Sequence, residues 1–167
     1  PPPRPNHLAV MRRGSARLSA ARSLGAALDA TLDTLTQDLA VRHAMVLILD
    51  TTTQRLYTVA SRGYETSGVG SEIALGDGVI GVAARERTPV RIGHMTSAYR
   101  YSRAMRDSLL GDGSAAASTD IPYPGLPEPH SQLAVPLLAA DRVNGVLFVE
   151  SPVDMQFSFE DEDVLVA

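Results

Sequence analysis

The sequence predicts a single domain of the α+β class, from its length, its composition and a change of periodicity along the chain. The 167 residues fit one domain, and a content of 44% hydrophobic and 20% charged residues is ordinary for a soluble globular protein. A helical repeat near the N-terminus gives way to short alternating runs joined by polar turns. These runs indicate hairpins rather than βαβ units, which favours an α+β fold.

Composition excludes several classes of function. The net charge of −4 provides no positive field for nucleic acid or an anionic membrane. The absence of cysteine excludes disulfides, zinc-thiolate sites and thiol nucleophiles. No apolar run reaches the ~20 residues of a membrane span, and the first residues lack a secretory signal, so we expect a cytoplasmic location.

The N-terminal part divides into a predicted tail and a predicted helix. Residues 1–14 are proline-rich and then basic, without sustained periodicity, and we expect a disordered tail or linker there. The domain then covers 15–167. Its first helix carries a stripe at alternating steps of three and four residues. The stripe consists of Leu18, Ala21, Gly25, Leu28, Leu32, Leu35 and Leu39. It predicts either packing against the domain's own sheet or a parallel helix seam between two protomers.

The remaining elements follow in a fixed order. The predicted strands cover 44–49, 56–60, 72–75, 90–92, 132–138 and 143–150. A short helix over 79–86 ends before Pro89, and Ser158 with Asp161 marks the capped start of an exit helix. That helix is short enough to be marginal alone, so we expect it to continue beyond Ala167 toward an output domain.

Residues 93–130, here called the roof segment, form the irregular part. A helix is predicted over 98–110, and four prolines between 120 and 129 exclude regular structure there. Long connections of this kind inside compact domains are usually functional loops or disordered ones.

Five motifs in this order resemble GAF domains, a family related in fold to PAS domains. They are the glycine segment 75–83, the strand 88–92, the two strand motifs 133–137 and 143–147, and the helix start 157–163. The resemblance implies a central antiparallel sheet of about six strands, terminal helices on one face and a ligand pocket under loops on the other. It also implies a homodimer formed through the N- and C-terminal helices.

Gly76, Gly78 and Gly81 match the dinucleotide fingerprint G-x-G-x-x-G. No acidic residue stands about 20 positions further on, and the surrounding hairpins are not βαβ units, which argues against a dinucleotide site. The alternatives are an anion or carbonyl cradle at the free N–H groups of Gly78 and Val79, or a purely structural turn.

Other candidate ligand contacts cluster around the roof segment. His94 and His130 bracket it, so a haem or metal sensor is a minor alternative, although a lone loop histidine is more often solvated. Tyr101 lies among the arginines Arg100, Arg103 and Arg106, whose forked side chains suit carboxylates and phosphates. The candidate ligand-binding residues are Tyr64, Asp77, Gly78, Val79, Ile80, His94, Tyr101, Met105, Arg106, Ile121, His130 and Gln132.

The predicted function is therefore a regulatory sensor domain. It binds a small polar or anionic molecule and passes a signal through its terminal helices to an output domain outside this chain, such as a histidine kinase or a transcription regulator. The sequence requires no cofactor and shows no catalytic constellation. The family's methionine sulfoxide reductase works through cysteines, which this chain lacks. The alternative is a ligand-free dimerisation module, with Leu18, Leu28, Leu32, Leu35 and Leu39 at its interface.

Overall fold

The computed structural model describes residues 5–95 and 124–167, which form four helices and six strands. The helices are α1 (His7–Ala20), α2 (Leu24–Asp38), α3 (Gly78–Glu86) and α4 (Phe159–Val166). The strands are β1 (His43–Asp50), β2 (Arg55–Arg62), β3 (Glu72–Ala74), β4 (Val90–Ile92), β5 (Ser131–Ala139) and β6 (Arg142–Ser151). All six predicted strands are present. The helix predicted over 98–110 lies outside the described residues.

The strands form one six-stranded sheet in the order β3-β2-β1-β6-β5-β4. Every neighbouring pair is antiparallel, which confirms the predicted sheet. The chain therefore builds two halves, β1 to β3 and β4 to β6, and joins them where β1 pairs with β6. This central pairing places the end of β6 at the middle of the sheet, where a side chain is enclosed from both sides.

Each face of the sheet carries its own hydrophobic core. On one face, Leu32 and Leu35 of α2 and Leu165 of α4 pack against alternate residues of β1, β5 and β6. On the opposite face, α3 contributes Ile80 and Ala83 to a core with Phe148 of β6. The terminal helices α2 and α4 thus share one face, as predicted, and leave the other face to α3.

The N-terminus differs from the prediction, because residues 7–14 are helical rather than a tail. Asn6 caps α1 by accepting a hydrogen bond from the Ala9 N–H, and Val10 is 1% exposed. The predicted single helix is also wrong, since the chain is extended at Ala21 and Ser23 caps a second helix. Only a narrow stripe of α1 is buried, with Val10 and Gly14 at its centre, so the sequence of this helix shows no clear apolar periodicity.

Most of the leucine stripe packs against the chain's own sheet, as the first of the two predicted alternatives has it. Leu32 and Leu35 are 2% and 4% exposed, and Leu28 and Leu39 pack against the same core. Leu32 and Leu35 are buried in this core, whereas Leu28 and Leu39 are only partly buried. Leu18 belongs to α1 instead, where it is 45% exposed.

Two predicted local features are confirmed. Ser158 and Asp161 form the predicted capping box at the start of α4, each satisfying a backbone N–H of the other residue. Gly76 has a φ of +87°, as the predicted tight turn before α3 requires. In the described ranges, no helix is long and apolar enough to cross a membrane.

Candidate functional site

A row of polar side chains crosses the sheet on the face that carries α3. Glu150 of β6 is the direct register partner of His43 on β1 and of Gln132 on β5. Directly opposed residues of antiparallel strands point to the same face. Because Glu150 lies two residues beyond Phe148 on one strand, this row extends from the apolar core under α3.

Glu150 is the centre of the row and is 1% exposed. Its Oε1 accepts hydrogen bonds from the Tyr64 hydroxyl at 3.0 Å and from the Leu126 N–H at 2.7 Å. Its Oε2 accepts from Gln132 Nε2 at 3.0 Å. Three neutral donors therefore surround the carboxylate, and they come from the loop after β2, from the roof segment and from β5.

His43 stands on the other side of Glu150 in the row. Its Nδ1 is buried and has no hydrogen-bond partner in the described part of the chain. The imidazole lies against the Tyr64 ring, with ring centroids 5.6 Å apart and planes tilted by 54°. A buried polar atom of this kind normally has a protein, water or ligand partner. The row therefore holds an unused polar position beside a buried carboxylate.

A second polar cluster lies at the edge of the same region. Asp154 accepts hydrogen bonds from the Nδ1 atoms of both His94 and His130, each at 3.0 Å. Desolvation raises the pKa of Asp154, but the hydrogen bonds and positive charges of the two histidines outweigh it, so the pKa lies below its ordinary value. The three side chains are all partly exposed.

Backbone hydrogen bonds join the segments that follow β4, precede β5 and follow β6, next to this cluster. The Met95 N–H donates to the His130 carbonyl at 3.0 Å, and the Met155 N–H donates to the Gly93 carbonyl at 2.7 Å. Both ends of the roof segment and the chain after β6 are thus tied at one place.

Arg91 joins β4 to the exit helix on the opposite face of the sheet. Its Nε donates to Glu162 at 3.2 Å, and its Nη1 donates to the Phe157 carbonyl at 3.4 Å. The guanidinium carbon lies 3.9 Å from the centroid of the Phe159 ring. The strand that leads into the roof segment is therefore linked directly to the first turn of α4.

The structure brings four of the predicted site residues together in two pairs. Each pair meets at an acidic residue that was not among the predicted ones. Tyr64 and Gln132 meet at Glu150, and His94 and His130 meet at Asp154. The feature of the sequence that points to Glu150 is a charged residue directly after the apolar run 146–149 of β6. His43, a residue at the start of a strand, was not chosen either. Four predicted residues lie outside the described residues: Tyr101, Met105, Arg106 and Ile121.

The predicted cradle at the start of α3 is partly occupied by the chain itself. Ile80 is 4% exposed and belongs to the apolar core, and Val79 packs against that core together with Tyr64. The Asp77 side chain makes no capping hydrogen bond, and Gly78 has a φ of +59°. This segment lies on the same face as the polar row, and its geometry is that of a tight turn.

No three described His, Asp or Glu side chains are arranged to hold a metal ion. The polar side chains on the α3 face are those of His43, Glu150, Tyr64 and Gln132. They lie beside the apolar core of the same face.

The chain is thus an α+β domain built on one antiparallel six-stranded sheet, with α2 and α4 on one face and α3 and the polar row on the other. The GAF domain profile matches residues 21–167, and the chain belongs to this family of largely sensory and regulatory domains. A comparison with curated proteins finds no significant match.

Solved structures with the same fold include members with different functions. The chain is similar to the GAF domain of the Acinetobacter phosphoenolpyruvate-protein phosphotransferase, with 24% identity, a TM-score of 0.73, and 95% of this chain and 85% of that chain covered. It is similar to the corresponding domain of Coxiella burnetii, with 19% identity, a TM-score of 0.74, and 96% and 86% covered. Free methionine-R-sulfoxide reductase of Neisseria meningitidis, in complex with its substrate, has 20% identity, a TM-score of 0.70, and 96% and 81% covered. Proteins with this fold thus include an enzyme as well as regions described as GAF domains.

Proposed function

We propose that this chain is a regulatory sensor domain that binds a small polar molecule between the sheet and the roof segment. The observation that carries the proposal is the buried Nδ1 of His43, which has no hydrogen-bond partner among the described residues and lies beside the buried carboxylate of Glu150. Burying polar groups without full hydrogen bonding costs free energy, of the order of 1–3 kcal/mol per group. A bound molecule that supplies the missing hydrogen bond would offset that cost.

The relay in this proposal runs from the roof segment to the exit helix. The Leu126 N–H is bonded to Glu150, so that a ligand touching Glu150 acts on the roof segment as well. Gln132, which is bonded to the same carboxylate, is the register partner of Ile92 on β4. The neighbouring residue Arg91 contacts α4, and movement of β4 would therefore reach the exit helix. An output domain beyond α4 would receive the signal.

Catalysis is not part of this proposal. The chain contains no cysteine, which excludes the thiol chemistry that the resemblance associates with the family's sulfoxide reductases. Among the described residues, no serine or threonine hydroxyl is hydrogen-bonded to a histidine that could act as its base. Binding rather than turnover is what the polar row supports.

Thermal melting of the chain against nucleotides, small carboxylic acids, amines and haem tests the proposal. A molecule that binds the native state raises the melting temperature, by an amount that grows with its concentration. We expect at least one class to do so in the wild type and to do so less in His43→Phe, which keeps an aromatic side chain but removes both ring nitrogens. If no molecule co-purifies with the protein and no class raises its melting temperature, the sensor proposal fails.

An anionic ligand is the form of the proposal that Arg100, Arg103 and Arg106 favour. These arginines lie outside the described residues, so the support for it is their sequence pattern alone. Small acids and phosphates in the melting series address this form separately from the rest.

Self-association is the second candidate function, and the outer face of α1 supports it. Leu8 and Leu18 are 68% and 45% exposed. Leu8 also lines an open groove of about 810 Å³, together with Met11 and Ser15. A homodimer formed there, with α4 beside it, would use terminal helices as the family resemblance implies. Sedimentation of the wild type and of Leu8→Glu/Leu18→Glu tests it. A monomeric wild type at high micromolar concentration would contradict a homodimer.

A further inference from the structure

We propose that the floor of the site recognises a nitrogen group with at least two N–H donors, in the first place an ammonium or amidinium cation, held between His43 and Glu150. This inference rests on the proposed sensor function and names the chemical class of its ligand. It concerns the part of the ligand that meets the sheet, whatever the roof segment binds at the other end.

Glu150 has one hydrogen-bond acceptor position that no described residue occupies. An ionised carboxylate offers about four positions for hydrogen-bond donors. Tyr64 and Leu126 occupy two positions on Oε1, and Gln132 occupies one on Oε2. The described residues therefore leave one acceptor position, which lies on Oε2.

The Nδ1 atom of His43 provides a second acceptor on the side chain next to Glu150. When Nε2 carries the proton, the buried Nδ1 is an acceptor, and it has no partner in the ranges described. His43 and Glu150 are opposed across β1 and β6, so that both side chains rise from the same face as neighbours. In that tautomer, Nδ1 and the remaining position on Oε2 are two neighbouring acceptors that no described residue occupies, and they match a group that presents two N–H bonds.

The charge of the Glu150 carboxylate also favours a cationic ligand. Glu150 is 1% exposed, and its described partners are a phenol, a backbone N–H and an amide, all of them neutral. No described arginine or histidine forms a salt bridge with it. A buried carboxylate without a cation carries a large desolvation penalty, and a cationic ligand would reduce it. An anion placed there would increase it.

The test uses acetamidinium and acetate, two ions of nearly the same size and shape with opposite charge and opposite hydrogen-bonding character. The melting temperature of the full chain is measured in 20 mM acetamidinium chloride, in 20 mM sodium acetate and in 20 mM sodium chloride. We expect acetamidinium to raise the melting temperature of the wild type by about 2–4 °C over sodium chloride once its concentration is about five times its Kd. We expect acetate to leave it unchanged.

Two variants locate the effect. Glu150→Gln removes the charge, and His43→Phe removes Nδ1 while leaving Glu150 intact, so the second variant serves if the first folds poorly. Each should abolish the acetamidinium shift, and Glu86→Gln, an exposed change of the same kind outside the roof segment, should retain it.

The outcomes separate this inference from the proposed function. A shift caused by acetate alone, or an acetamidinium shift that survives in both variants, overturns the ligand class and leaves a sensor. If neither ion shifts the wild type while a larger anionic molecule does, the ligand class is again wrong. If nothing raises the melting temperature, the sensor function fails with it.

Discussion

The hydroxyl of Tyr64 donates a 3.0 Å hydrogen bond to Oε1 of Glu150, joining two residues that are 86 positions apart in the chain. The same oxygen accepts from the Leu126 N–H, so one atom fixes both the loop after β2 and the end of the roof segment. Glu150 is therefore structural as well as a candidate ligand contact. Removing it affects three donors at once.

Replacing Glu150 by leucine should lower the free energy of unfolding by about 2–4 kcal/mol, because three donors on Tyr64, Leu126 and Gln132 lose their acceptor in a buried place. Glu150→Gln should cost less, about 1–2 kcal/mol, because its amide oxygen still accepts. Urea unfolding at neutral pH measures both, with Glu128→Gln as the exposed control. A Glu150→Leu variant as stable as the wild type would contradict the buried network.

The sequence predicts the strands of this network but not their meeting point. Alternation of apolar residues marks 143–150 as a strand, and Glu150 then looks like the polar end of it. What gives Glu150 its role is the register that sets it opposite His43 and Gln132. Register depends on pairing between distant segments, and local pattern does not determine it. Tyr64 and Gln132 were predicted separately, and only the fold makes them neighbours.

The terminal helices show the same limit. The stripe of leucines determines that α2 has an apolar face, but not whether a sheet or a second protomer covers it. The missed helix α1 is held by contacts that leave no periodic signal. Gly14 lies against Thr34, and Arg17 donates to Thr34 at 3.1 Å and to Asp38 at 2.9 Å.

Leu32→Ala should lower the free energy of unfolding by about 2–5 kcal/mol, because it leaves a cavity between α2 and the sheet. Leu18→Ala, on the exposed side of α1, should change it by less than about 0.5 kcal/mol. Urea unfolding compares the two at several protein concentrations. If Leu32→Ala instead left the monomer stable and weakened a dimer, the interpretation of the stripe as core would be wrong.

Asp154→Asn should change how stability depends on pH. Because the folded pKa of Asp154 lies below its unfolded value, the ionised carboxylate contributes stability above the unfolded pKa of about 3.9. That contribution is lost as the pH falls through the folded pKa. The wild type should therefore be more stable than Asp154→Asn near pH 5, and the difference should disappear in stronger acid.

Unfolding curves of both proteins between pH 6 and pH 2.5 measure this difference. Asp163→Asn, a change of the same kind at an exposed residue of α4, is the matched control. His94→Gln/His130→Gln should remove most of the pH dependence that Asp154 contributes, because the two histidines are what lower its pKa. An Asp154→Asn curve parallel to the wild type throughout would contradict the assignment.

Arg91→Ala should loosen the exit helix, because Arg91 supplies the ion pair with Glu162, the hydrogen bond to the Phe157 carbonyl and the contact with the Phe159 ring. These contacts are partly shielded from water, and their loss should cost about 1–2 kcal/mol. Arg91→Lys should recover only part of this, since an ammonium group lacks the planar fork that serves all three partners. Arg85→Ala, whose pair with Glu86 is exposed, should change stability by less than about 0.5 kcal/mol.

Hydrogen exchange distinguishes a coupling role for Arg91 from a purely stabilising one. The amides of Phe159–Val166 should exchange faster in Arg91→Ala, while those of the distant strand β2 should change little under conditions that populate the folded state. A double-mutant cycle between Arg91→Ala and Phe159→Ala should give a coupling energy of about 0.5–1 kcal/mol. Additive effects, or uniform acceleration across the sheet, would show that β4 and α4 are not linked through this side chain, and the relay would then need another route.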